Sequence, residues 1–288
     1  FLAGIPGKNE NDLYVLNRNS NSIDLLNTQT GETKKGYFTI KDQINFIHFL
    51  PVSNIFIAKD KNGLTHAFDA NTGKEIRKAF NSQVKTYVFN AEQTQVLART
   101  GNNGFGIWDL RTGKQLISYE TKGPLGGFTA SPDLKTILAV DKNSWKIIDV
   151  QTKKVLKEEK GTLNSGTFNK QGTALVVVRN DGKASVLNTK DYKTMFEIPT
   201  IEFPFLVFNN KGNVVAISED ANHMRLWSLD TKKSFGQNII ISKYSKFFQF
   251  SDDDSKIFVQ DDAEGFGYVA KLVDASNGNV LTMPFINK

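Results

Sequence analysis

Along the chain, short apolar stretches of about five to eight residues alternate with polar clusters rich in Asn, Asp, Gly, Ser and Thr. No stretch sustains the 3.6-residue spacing of an amphipathic helix, so the pattern predicts strands joined by tight turns. The pattern also recurs. An apolar residue followed by Asp, Asn or Ser and a polar turn returns at Leu26-Asn27, Phe68-Asp69, Trp108-Asp109, Ile148-Asp149, Leu187-Asn188, Trp227-Ser228 and Val273-Asp274. Steps between the polar residues are 42, 40, 40, 39, 40 and 46, which marks a repeat array.

Within one copy the elements can be read off in order. In the fourth, residues 126–130 form strand a and Ser131-Pro132-Asp133 turns it. Residues 136–140 form strand b, 141–144 a loop, 145–149 strand c, and Val155 lies at the start of strand d. A residue closing strand a recurs as Phe49, Phe89, Ala130, Phe168, Phe208 and Phe250, with Ile5 as its counterpart in the first copy. Four antiparallel strands in about 40 residues make one propeller blade. The expected fold is all-β, a seven-bladed β-propeller with four antiparallel strands per blade. It is read as one domain over residues 1–288, with blades near 1–42, 43–82, 83–122, 123–161, 162–201, 202–241 and 242–288. Strand a of blade one falls near Leu2 to Pro6 and strand d of blade seven near 279–285, so closure would rest on packing between blades rather than on a lent strand.

The turn after each signature residue has its own chemistry. Three positions on stand Thr30, Thr72, Thr112, Thr152 and Thr231, with Asp191 and Asn277 in the other copies. Four positions on stand Gly31, Gly73, Gly113 and Gly278, but Lys153, Tyr192 and Lys232 elsewhere. Glycine suits a left-handed residue in the strand c to strand d hairpin, and Asp and Thr side chains bond the turn backbone. The copies lacking glycine need another turn conformation or carry strain. The apolar residue before the Asp is expected to pack between blades.

These residues resemble the WD40-like β-propeller superfamily over nearly the whole chain. Trp108-Asp109 is its Trp-Asp dipeptide, Trp227-Ser228 a near match, and Ser131-Pro132-Asp133 a turn common in such propellers. The Gly-His dipeptide usual before strand a is missing, and with three His in the chain the His-containing network of regular repeats cannot form in most blades. The resemblance implies a divergent, bacterial member and fixes fold far better than function.

Composition narrows the chemistry. At 39% hydrophobic and 23% charged, this is an ordinary globular composition, and no apolar run approaches the ~18 residues of a membrane helix. The absence of cysteine excludes disulfides, thiolate metal sites and cysteine nucleophiles. No Asn is followed two places later by Ser or Thr, which speaks against a glycosylated secretory protein and fits a soluble protein of the bacterial cytoplasm or periplasm. Phe1 stands where an initiator Met would be, so a preceding segment is expected. The net charge of +6 is read as solubility.

Candidate chemistry lies where the copies differ. Lysines after the signature turn (Lys74, Lys114, Lys154, Lys193, Lys233) could form a collar for an anionic surface, although lysines on an exposed edge strand also discourage strand pairing. On the opposite side, the b–c loops are expected to carry Arg18, Lys59, Lys61, Arg99, Lys142 and Arg179 in blades one to five. They are expected to carry Glu219, Asp220, Asp261, Asp262 and Glu264 in blades six and seven. The long segment of blade seven adds Phe266 and Tyr268. His48, His66 and His223 have no metal-ligand spacing, the Asp261–Glu264 cluster does not match a calcium loop, and hydrolase, zincin and phosphate-loop motifs are absent.

The reading is therefore a non-catalytic scaffold with no metal and no cofactor. It would act as a monomeric ring, alone or within a larger chain or complex. Its expected partner is a protein or peptide rather than nucleic acid, bound on the b–c/d–a loop face through Arg18, Lys59, Arg99, Arg179, Phe266 and Tyr268. The alternatives are an enzyme or small-ligand binder using the central channel, and anionic-surface binding through the lysine collar.

Overall fold

The computed structural model describes residues 4–7, 9–17, 21–39, 43–61, 65–80, 87–101, 103–121, 123–202, 204–241, 247–262, 268–281 and 285–287. Every regular element among them is a strand. They form seven antiparallel four-stranded sheets, each made of four consecutive strands in the order a–b–c–d. The blade grammar read from the sequence is thus the observed topology. Contacts group the chain into two compact units, Phe1–Leu125 with Val150–Lys153, and Gly126–Asp149 with Lys154–Lys288. Blades one to three lie in the first unit and the sheets of blades four to seven in the second.

The first unit is built around aromatics contributed by blades one and two. Tyr14, Phe38, Phe49, Phe56 and Phe68 are buried together. Phe38 and Phe56 stack at 4.6 Å, while Tyr14 meets Phe49 and Phe56 edge-on at 5.3 and 5.1 Å. Such ring pairs each add about 0.5–1.5 kcal/mol beyond area burial. In the second unit the cores are mainly aliphatic. Strand b of blade five, Ala174–Arg179, is apolar on both faces because both are covered. Leu175 and Val177 pack toward blade four with Leu138 and Ile147, and Val176 and Val178 toward blade six with Val215 and Ile217. In blades two, three, five and seven the residue before the signature position packs on the preceding blade, as expected. Phe68 joins blade-one side chains, Trp108 blade two, Leu187 blade four and Val273 blade six.

The signature turn is held in the same way in blades one, two and three. Asp109 Oδ1 accepts from the Arg111 and Thr112 amides at 3.1 and 2.7 Å and from Thr112 Oγ1 at 2.8 Å. Thr112 Oγ1 in turn accepts from the Lys114 amide, and the Asp109 carbonyl from Gly113. The Thr112 amide bond is the main reason the Asp109 carboxyl is held below its ordinary value. Asp69 and Asn27 repeat the arrangement. The fourth position after the signature residue has positive φ in the glycine copies (Gly31 74°, Gly73 69°, Gly113 65°, Gly278 81°). It is equally left-handed at Lys153 (60°), Tyr192 (54°) and Lys232 (59°). Of the two possibilities for those copies, strain is the one realised: non-glycine residues take the left-handed place.

The a–b turns form a second periodic device. Asn90, Ser131, Asn169, Asn209 and Ser251 each follow strand a, and a side-chain oxygen of each accepts from the amide that opens strand b. In the second unit these turns are tied together. Asn169 Nδ2 donates to the Gly212 carbonyl at 2.9 Å, and the Asp254 carboxylate accepts from Asn209 Nδ2 and from the Asn210 and Lys211 amides.

Strand a of blade one is described over Gly4–Pro6, inside the expected 2–6, and the described strand d of blade seven is Phe285–Asn287, at the far end of the expected 279–285. Val280 makes an isolated bridge to Val273, and the Leu281 amide donates to the Leu272 carbonyl.

Candidate functional site

The ends of the strands away from the signature turns carry the chemistry that differs between blades. Sequence reasoning placed Lys59, Arg99 and Arg179 in b–c loops, but all three lie in strand b, because the ladder continues further than the polar residues suggest. Lys59 pairs across from Thr65, Arg99 from Phe105 and Arg179 from Lys183. Asp261 and Asp262 likewise belong to strand b, Lys256–Asp262, and His223 opens strand c, His223–Ser228. Period-two alternation then separates the three basic residues. Lys59 falls on the side of its sheet that Ile57 buries toward blade three, and Arg99 takes the equivalent place in blade three. Arg179 falls on the other side, with Leu175 and Val177, toward blade four. Arg18 and Phe266 lie outside the described residues, as does the side chain of Tyr268, whose backbone opens strand c of blade seven opposite Asp262.

Arg179 is the best-defined of these groups. Its Nη2 donates to Glu197 Oε1 and its Nη1 to Ser185 Oγ, both at 2.6 Å, while Nε reaches Asp181 at 3.3 Å. Lys183 Nζ stands 3.7 Å from Glu197 Oε2. The bond to Glu197 raises the Arg179 guanidinium above its ordinary value, and the same bond holds the Glu197 carboxyl below its own. The guanidinium is thus the centre of a fixed charge cluster. Arg99 is half-buried and donates to the Leu125 carbonyl.

Ser185 occupies a position on strand c that sequence reasoning missed. Two places before the residue preceding the signature Asp stand Asp24, His66, Gly106, Lys146, Ser185, Arg225 and Lys271, polar in every blade but the third. In blade two, His66 sits between Glu75, 2.7 Å from Nδ1, and the buried Asp60, 3.4 Å from Nε2. In blade four Lys146 pairs with Glu158 at 3.2 Å, and in blade one Asp24 accepts from the Gly36 amide at 2.7 Å. Blade six places Glu219 under the Trp227 indole at 3.0 Å and Asp220 against His223 at 2.9 Å. A polar residue recurring at a fixed offset from the signature was the available signal. It was obscured because its identity changes in every copy. Among the described residues, no group of three or more His, Asp or Glu is arranged to hold a metal ion, and no helix is long and apolar enough to cross a membrane.

No protein-family model and no curated protein matches the sequence. Solved structures do match the fold. The computationally designed Ika8 protein superposes with a TM-score of 0.72 at 15% identity, over 100% of this chain and 89% of that one. The C-terminal WD40 domain of Sif2 gives 0.70 at 14% identity, over 95% and 82% of the two chains. The β-propeller domain of Myceliophteria thermophila Cps50 (Swd1) gives 0.61 at 10% identity, over 86% and 88%. With seven four-stranded antiparallel sheets, the chain has the β-propeller fold of these WD40 and propeller domains.

Proposed function

We propose that this WD40-like β-propeller, taken over residues 1–288 as one functional domain, is a non-catalytic scaffold that binds a protein or peptide partner on its b–c and d–a loop face. One contrast carries the reading. The signature turns of blades one to three repeat the same hydrogen bonds, whereas the polar side chains along strands c and d form a different charged arrangement in blades two, four and five. Constant turns serve construction, and variable ends on a rigid frame serve recognition. The Sif2 and Cps50 neighbours are WD40 or propeller domains, a fold that offers such faces. In this reading Arg18, Lys59, Arg99, Phe266 and Tyr268 contact the partner. Arg179 contributes the fixed cluster with Glu197 and Asp181, which steers a charged partner into register.

The test is capture of partners from an extract of the source cells by the immobilised chain, compared between faces. Lys59→Glu and Phe266→Ala are expected to remove the captured species while leaving the thermal midpoint unchanged. Lys114→Glu, beyond the signature turn on the other side, is expected to leave capture intact. Loss of capture with Lys114→Glu alone would move the site to the turn side and reject the proposal.

A further inference from the structure

The fourth residue of the a–b turn is left-handed in blades three to seven, where it is Gln93, Leu134, Gly172, Gly212 and Asp254. In two of them its side chain reaches back to the turn of the preceding blade. Gln93 Oε1 accepts from the Val52 amide of blade two at 2.9 Å. Asp254, at φ 60°, does more. Its Oδ1 accepts from the Asn210 amide at 2.6 Å and from Asn210 Nδ2 at 2.8 Å. Its Oδ2 accepts from the Lys211 amide at 2.9 Å and from Asn209 Nδ2 at 3.0 Å. Two successive backbone amides converging on one carboxylate make an anion nest, and here blade seven supplies the anion to a nest on blade six.

Asn210 carries the connection on into blade five. Its carbonyl accepts from Gln171 Nε2 at 2.6 Å and its Oδ1 from Lys170 Nζ, while its Nδ2 also donates to the Ser251 carbonyl at 2.8 Å. Three turns thus meet at Asn210, and one carboxylate accepts four of the bonds that hold them. The charged groups around it are Lys211 and Asp230 of blade six, Lys170 of blade five, and Asp252, Asp253 and Lys256 of its own hairpin. Asp230 bonds Asn213 in the blade-six turn, and Asp253 is occupied by Ser251 and Ser255. Burial pushes the Asp254 carboxyl upward. The Asn210 and Lys211 amides, the Asn210 side chain and the Lys211 charge outweigh it and hold the group below its ordinary value.

We propose that Asp254 is an acid-sensitive latch: ionised, it locks the a–b turns of blades five, six and seven together, and protonated, it releases them. A protonated carboxyl presents a donor where the Asn210 or Lys211 amide also donates, so the fourfold arrangement has to break. A carboxyl held down in the folded chain contributes stability above its unfolded value, and that contribution is lost as the pH falls through the folded value. Release frees the Asn210 side chain and, through it, Gln171 and Lys170. The two sheets stay joined. The Gln237 amide of blade six donates to the Asn277 carbonyl of the blade-seven signature turn at 2.6 Å, and no titrating group takes part in that bond. Beneath both turns, Met224 and Leu226 pack with Phe250 and Ile257 in one apolar core. Acid therefore loosens the turns and leaves the blades in place.

The experiment follows amide resonances and hydrogen exchange of the intact, isotope-labelled chain from neutral pH to below the ordinary carboxylate range. The Asn210 and Lys211 amides are expected to titrate together, and their protection to fall about ten-fold across the same midpoint, the loss of a hydrogen bond to a charged group. Asp254→Asn is expected to abolish the titration and to show the low protection already at neutral pH. Asparagine tolerates the left-handed place, so this variant is expected to fold. Asp252→Asn, one turn residue away and exposed, is expected to behave as the parent chain. Amides at 210 and 211 that do not titrate in the parent chain, or that titrate unchanged in Asp254→Asn, would overturn the proposal. So would protection in Asp254→Asn equal to that of the parent at neutral pH. The titration of the parent chain decides the matter even where the variant is poorly folded. Partner capture on the loop face plays no part in either measurement, so the two proposals fail separately.

Discussion

The signature hairpins of blades three and five adopt the same left-handed residue for opposite reasons. In blade three the place is filled by Gly113 at φ 65°, which has no side chain to be strained. In blade five it is filled by Tyr192 at φ 54°. The tyrosine is 7% exposed and packed with the blade-four and blade-five core. Its hydroxyl lies 3.1 Å from Thr136 Oγ1 and its carbonyl accepts from Lys157 Nζ at 3.0 Å. Blade five accepts backbone strain in exchange for an interblade anchor. Lys232 in blade six is exposed and accepts the strain with no comparable contact. A conserved backbone shape therefore does not imply one cause.

Substitutions at this position separate the causes. The largest effect is expected at Gly73, where a Cβ would meet the Tyr37 carbonyl oxygen at 2.3 Å. Gly73→Ala combines about 1 kcal/mol of left-handed strain with about 2 kcal/mol of forced displacement. Gly31 has open space around the same atom, so Gly31→Ala should show only the strain, about 1 kcal/mol. Urea unfolding of both variants checks this, and equal losses would mean that the close approach to Tyr37 does not matter. Next is Tyr192→Gly, expected to cost about 2 kcal/mol, with lost packing of about 3 kcal/mol partly offset by about 1 kcal/mol of relieved strain. A stabilised variant would show the anchor to be worthless. Smallest is Lys232→Gly, expected to raise stability by up to about 1 kcal/mol, because strain is relieved and nothing is unpacked. A fall in its thermal midpoint would reveal a contact made by Lys232.

The candidate site was less legible than the fold. Blade count and strand order followed from the apolar–polar rhythm because burial repeats at the same offset in each copy. Lys59, Arg99 and Arg179 were read as loop residues, and they lie in strand b. Charged side chains at strand ends look like loop residues until the backbone pairing is known. That Arg179 would be saturated by Glu197, Ser185 and Asp181 could not be read either, since Glu197 is eighteen residues away on strand d. The unpartnered side chain of Asn54 was missed for a related reason: its turn, Pro51-Val52-Ser53-Asn54, lacks the Asn or Ser that follows strand a in blades three to seven.

What the sequence determined by itself is everything governed by recurrence: an all-β chain, seven four-stranded sheets, the hairpin chemistry of Asp109 and Thr112, and the core residue before each signature position. Those features rest on interactions within about six residues of each other or on faces whose burial repeats. The tertiary structure alone decided which polar side chains found partners. Satisfaction of Arg179 and Asp254, and its absence at Asn54, depends on groups that only the assembled blades bring within hydrogen-bond distance.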